Sequence, residues 1–143
     1  MLPAGIPANH PAAEILARFN GLTVGRVGTG EECATSDIHF RAIDSSNSDV
    51  LAWNRLLQTT LIGVAEVHHG HGELYVDSHG RCYGLSVIHD AFYFEGGTFV
   101  KAVERILRGR RSRPILRPDQ ESVDLYGITY TAEHPDVYNY HPG

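Results

Sequence analysis

Between Glu66 and Glu73 the chain reads Glu66-Val67-His68-His69-Gly70-His71-Gly72-Glu73, so imidazoles and carboxylates crowd into eight residues. Both groups bind zinc, and in an extended segment His69 and His71 project to one side, where His79 or His89 from a neighbouring strand can join them. Such a set admits a metal-dependent hydrolase built on His68, His69, His71 and His79. A closed site needs convergent ligands held by further hydrogen bonds, and no HExxH, paired cysteines or Asp-rich motif accompanies these histidines. The favoured expectation is surface or hairpin histidines, with no metal and no cofactor.

Other routes to catalysis have even less support. Ser78 and Ser86 sit in no GxSxG-like elbow, and Cys33 and Cys82 carry no local nucleophile signature. Gly25-x-x-Gly28-x-Gly30 is glycine-rich and follows a strand but lacks GxGxxG or GxxxxGK spacing, and no helix follows it, so it reads as a loop. No enzyme motif is present. The two cysteines stand far apart and outside any CxxC pattern, which predicts reduced thiols.

A second set of side chains suits binding. Phe92, Tyr93 and Phe94 are consecutive, and strand side chains alternate, so at least one is expected to face outward beside Asp90 and Glu95. Glu66 and Glu73 flank the histidine-rich connection, and Asp77 opens the next turn. Glu66, Glu73, Asp77, Asp90, Tyr93 and Glu95 are therefore the expected partner-binding residues, exposed near strand ends. The formal charge of −5 disfavours nucleic acid and suits a basic protein partner. The basic group Arg108, Arg110, Arg111, Arg113 and Arg117 is expected to be a solvated helix end, where cations meet the negative helix terminus.

The elements that must hold these residues follow from periodicity. Ala12, Ile15, Leu16 and Phe19 recur at helical spacing between a cap with Pro11 and the stop Gly21. Leu22 to Val27 reads as a strand, and Asp37 to Ile43 alternates with Ile38, Phe40 and Ala42 on one face. A polar cap precedes a helix carrying Val50, Trp53, Leu56 and Leu57, with Trp53 as a core anchor. Leu61 to Val67, Glu73 to Asp77, Arg81 to Val87 and Ala91 to Glu95 predict antiparallel strands, with Asp77-Ser78-His79-Gly80 as a tight turn. Thr98 caps a helix that Gly109 ends, and one last strand is expected among Leu125, Ile128 and Tyr130. The result is an α+β fold with a central, largely antiparallel sheet flanked by helices.

The 143 residues, 42% of them hydrophobic, are enough for one core without staples. The expected division is a domain over 1–113 and an extension over 114–143. Met1-Leu2-Pro3-Ala4-Gly5 has neither a basic nor a continuous apolar region, and no apolar run approaches the ~20 residues of a membrane span, so the expected compartment is the cytoplasm.

Pro11-Ala12-Ala13-Glu14-Ile15-Leu16-Ala17-Arg18-Phe19-Asn20-Gly21-Leu22 resembles the early helix of the third SUKH subfamily of bacterial immunity proteins. Asn20 stands where that family usually has glycine. Leu61-Ile62-Gly63-Val64-Ala65-Glu66, Gly70-His71, Leu74-Tyr75-Val76-Asp77, Gly80-Arg81-Cys82-Tyr83 and Gly97-Thr98-Phe99-Val100-Lys101-Ala102 resemble its sheet and closing helix in the same order. The resemblance implies a non-enzymatic immunity protein that occludes a cognate toxin, such as a nuclease or nucleic-acid deaminase. A regulatory scaffold that binds a cellular protein is the other binding reading.

Overall fold

A computed structural model describes residues 6–87 and 90–140; the opening pentapeptide lies outside them. Seven strands pair antiparallel in chain order into one sheet. They are β1 (Thr23–Gly28), β2 (Thr35–Ile43), β3 (Ile62–Val67), β4 (Gly72–Val76), β5 (Cys82–Ser86), β6 (Ala91–Gly96) and β7 (Arg113–Ile115). A separate hairpin joins β8 (Ser122–Leu125) to β9 (Ile128–Thr131). The helices are α1 (Pro11–Phe19), α2 (Ser48–Leu57) and α3 (Phe99–Arg108). This is the expected α+β architecture on an antiparallel sheet.

Side-chain caps start all three helices. His10 Nδ1 accepts from the Ala12 N–H at 3.0 Å, and the other ring nitrogen meets the Thr60 carbonyl at 2.8 Å, so one imidazole both opens α1 and ties it to the sheet. Asn47 accepts from Val50 and Thr98 from Lys101 in the same way. Gly109, at φ 71°, ends α3 in the left-handed conformation glycine tolerates.

Alternation along the strands divides the sheet into two faces. Ile38, Phe40, Leu74, Val76 and Cys82 bury against Ala12, Ile15 and Leu16 of α1 and Ala102 and Ile106 of α3. On the opposite face Ile43, Tyr75, Tyr83 and Phe92 pack against Val50, Trp53 and Leu57 of α2. Trp53 stacks on Phe92 with ring centroids 4.4 Å apart, which makes it the expected core anchor.

The C-terminal segment adds cover to both faces. The β7 strand crosses the expected division at residue 113, and the β8–β9 hairpin lays Val123 and Tyr130 with Leu116 and Val137 against Ala91 and Tyr93. Tyr126 and Gly127, at φ 56° and 74°, form the two-residue turn of this hairpin, where the sequence suggests a single strand. The chain then crosses to the α2 face. There Tyr138 stacks on Phe94 at 4.3 Å and Tyr140 meets Trp53 edge-on at 6.0 Å.

That crossing corrects the expectation that one of the three consecutive aromatics faces outward. Phe92 and Phe94 do point to the face opposite Tyr93, but Trp53 stacks on Phe92 and the tail's Tyr138 on Phe94, and Tyr93 lies under the hairpin. A Cβ at Gly84 would overlap the Tyr93 ring, so glycine there gives that ring its place across β5. Because Tyr138 closes the core, Tyr138→Ala is expected to lower stability by about 1–2 kcal/mol in urea unfolding, with no change in the overall fold.

Candidate partner-binding surface

The α2 helix and the tail cover only part of their face. Register shows what remains: Thr23 pairs with His39, His39 with Glu66, Glu66 with Glu73, and Glu73 with Leu85, so one row crosses five strands. Directly paired residues share a face, and these lie on the α2 side. Glu66 and Glu73 are therefore cross-strand neighbours, an arrangement in which like charges repel. Local partners offset the repulsion. Arg41 pairs with Glu66, and the Tyr75 hydroxyl donates to Glu73 at 2.8 Å. Burial and then the Glu73 carboxylate push the Tyr75 phenol well above its usual range, so it remains a donor.

Beyond Glu73 the surface falls into an open groove of 520 Å³ between the start of α2 and the strand ends. Asp49, Glu73 and Asp90 line it, with Leu85 and Val87 as its apolar part. Asp90 is exposed and takes both guanidinium nitrogens of Arg117, at 3.2 and 2.9 Å, which holds its carboxyl below the usual range. Asp49 escaped the sequence reading; its position in the first turn of a capped helix was the available signal.

Three expected binding residues, Glu66, Glu73 and Asp90, thus belong to this surface. The other three are buried. Asp77 is 0% exposed and accepts from the backbone N–H of His79 and Arg81, from Arg81 Nε at 2.8 Å and from the Tyr83 hydroxyl at 3.2 Å. It is the internal brace of a turn, with no side chain at the surface. Tyr93 and Glu95 are 8% and 6% exposed and lie on the other face.

There they line a cavity of 360 Å³ walled by the end of α3, the β3–β4 connection and the β8–β9 hairpin. The Ser112 hydroxyl donates to Glu95 Oε1, and the Ser112 N–H donates to the Tyr126 hydroxyl at 2.7 Å. Burial pushes the Glu95 carboxyl up to about 7, against the lowering effect of Ser112 and Arg105. His68 and His71 face this cavity, and burial lowers the His68 pKa. His69 is turned out toward Asp37, at 3.4 Å.

The histidine constellation does not converge. The β4 strand runs between the turn His68–Gly70 and the turn holding His79, so His79 sits at the opposite end of that strand. His89 lies outside the described residues. Among the described residues, no three His, Cys, Asp or Glu side chains are placed to hold a metal ion. The arginines at the end of α3 are also engaged: Arg108 and Arg110 pair with Glu31, and Arg110 with Glu32. No described helix is long and apolar enough to cross a membrane.

A protein-family model described as SUKH-3 immunity protein matches residues 4–109. No curated protein and no solved structure matches the chain. The matched span holds β1 through β6 and all three helices, and the β7 strand and everything after it lie beyond.

The buried carboxyl sets a pH dependence of stability. Its folded pKa, about 7, exceeds the ordinary 4.5, so the folded protein keeps a proton that the unfolded chain has already lost. Its contribution is full below about pH 4.5, declines as pH rises to about 7, and is level above that. The decline is on the order of 3 kcal/mol. Urea midpoints across this range are expected to fall for the wild type and to stay nearly flat for Glu95→Gln.

Proposed function

The chain belongs to the SUKH-3 immunity protein family, and from that membership we propose that it protects its cell by binding a cognate protein toxin and occluding it stoichiometrically, without turnover. The toxin belongs to a polymorphic toxin system, acts on nucleic acid as a nuclease or deaminase, and presents a basic surface. The encounter takes place in the cytoplasm.

The observation that carries this reading is the uncovered end of the sheet face, where register sets Glu66 and Glu73 side by side and the groove adds Asp49 and Asp90. A fold that needed this face only for its core would gain nothing from paired carboxylates there, whereas a basic partner supplies their counter-charge. These carboxylates stand in for the polyanion the toxin would otherwise bind. Glu66 and Asp90 already hold Arg41 and Arg117, so a partner's cations replace existing ion pairs at those positions. Asp49 and Glu73 form no ion pair recorded among the described residues, and the incoming charge falls on them first.

The test is Asp49→Lys with Glu73→Lys, measured against the toxin encoded beside this gene. Rim charges act mainly through encounter, so the association rate is expected to drop at least about tenfold at low salt. The double variant also removes the acceptor of the Tyr75 hydroxyl and a first-turn acid of α2, so its thermal midpoint falls, and rates are compared at a temperature where both proteins are folded. An unchanged association rate in the folded variant would remove this face as the binding surface.

A further inference from the structure

We infer that the cavity between the sheet and the β8–β9 hairpin binds an organic cation, with an alkylammonium or alkylguanidinium head on a slim apolar stem. The cavity, 360 Å³, falls within the range of small-ligand pockets, which is roughly 300–1,000 Å³. It lies on the opposite side of the sheet from the acidic groove, so the inference is independent of how a toxin is bound. Residues beyond the family match, Ser112, Leu125 and Tyr126, build part of its wall.

The charge of the ligand follows from what faces Glu95. No cation among the described residues is recorded pairing with it. From α3, Arg105 gives its guanidinium to the Arg111 carbonyl at 2.7 Å, and Arg110, just past the helix, is held by Glu31 and Glu32. The Cys33 thiol, from the β1–β2 loop, and the Tyr93 and Tyr126 phenols are kept protonated by burial. The β3–β4 connection contributes His68 and His71, with burial lowering the His68 pKa and so disfavouring its charged form. Arg111, exposed past the helix, lays its guanidinium over the Tyr126 ring at 5.6 Å and does not line the cavity. An anion inside would therefore meet a carboxyl and, among the lining residues, only the guanidinium of Arg110, which Glu31 and Glu32 already hold. Arg105 acts on Glu95 only at a distance, and a cation in the cavity supplies a direct counter-charge in surroundings where charge pairing is strong. Ile106, Leu125 and Ala34 provide apolar contact for the stem.

The wall supplied by the β3–β4 connection is built under strain. His68, His69 and Gly70 take consecutive left-handed conformations, at φ 51°, 54° and 87°. Two of these are non-glycine residues, each costing on the order of 1–3 kcal/mol, and such strain gathers at binding sites. Here it turns His68 toward the cavity and His69 away from it.

Binding moves one proton. The cation pairs with the Glu95 carboxylate, and the proton that the carboxyl carried leaves to solvent. With a pKa of about 7, the ionised fraction rises about tenfold from pH 6 to pH 8, and affinity should follow it.

Two probes test this by amide NMR on the full chain: n-butylguanidinium, and a blocked Gly-Arg-Gly peptide. The free cation is expected to shift the amides of Gly72, Ser112 and Tyr126, to bind about tenfold more tightly at pH 8 than at pH 6, and to lose both effects in Glu95→Gln. Calorimetry of the wild type in buffers of different ionisation enthalpy should show roughly half a proton released near pH 7, which needs no variant. Binding of both probes assigns the site to an arginine or lysine side chain of a partner, and binding of the free cation alone assigns it to a small metabolite. Absence of these shifts with both probes overturns the inference, as does pH-independent binding or binding unaltered in Glu95→Gln.

Discussion

The register between β4 and β5 is the constraint on which the other features depend, and Asp77 pins it. Its two carboxylate oxygens take four donors from the turn and the strand beyond, so the hairpin closes with Tyr75 opposite Tyr83 and Val76 opposite Cys82. A slip of one residue would send every side chain to the other face. Tyr83 would then leave the Trp53 cluster, and Cys82 would leave the core beneath α1 and α3. Burying a carboxylate is tolerable only when its hydrogen bonds are met, and here Arg81 also supplies the opposite charge. Asp77 thus acts on the candidate surface indirectly, since the row that sets Glu66 beside Glu73 continues through this hairpin.

With register fixed, the two faces present different problems of cover. The α1 and α3 helices span much of one face, but the aromatic face has only the ten residues of α2. The C-terminal segment supplies the remaining cover from both sides of the edge strand: the hairpin over Tyr93, then Tyr138 and Tyr140 over Phe94 and Trp53. Pro114 on β7 lacks an N–H, and its carbonyl accepts from the Tyr138 N–H at 2.8 Å, so the chain's own tail meets the sheet at this edge. The acidic end of the face is what the cover leaves open, which is why fold and candidate surface cannot be separated.

Much of this was legible in the sequence where one physical signal dominated. Alternation in Asp37 to Ile43 sorted Ile38 and Phe40 from His39 and Arg41, and the caps at Asn47 and Thr98 marked α2 and α3. Burial of polar groups was not legible, because periodicity assigns a side chain to a face without saying what covers that face. Asp77 reads as an ordinary turn residue until the donors of Arg81 and Tyr83 arrive in space. Glu95 sits where the β5–β6 register shifts, between Phe94 opposite Tyr83 and Gly96 opposite Cys82, and such an irregularity leaves no trace in an alternating pattern. The three-residue strand β7, which includes a proline, gives too little pattern to announce itself.

The distribution of charge completes the account. A net charge of −5 says little by itself, since paired charges cancel locally. At the end of α3 the cations face Glu31 and Glu32, and at the far edge Arg117 holds Asp90 and Asp119. Arg108, Arg110 and Arg117 of the basic cluster are therefore paired with the protein's own carboxylates, while Asp49 and Glu73 stand in the groove without such partners. An excess negative charge expressed on one open face creates a directional field, and a directional field favours a partner that arrives with the opposite sign.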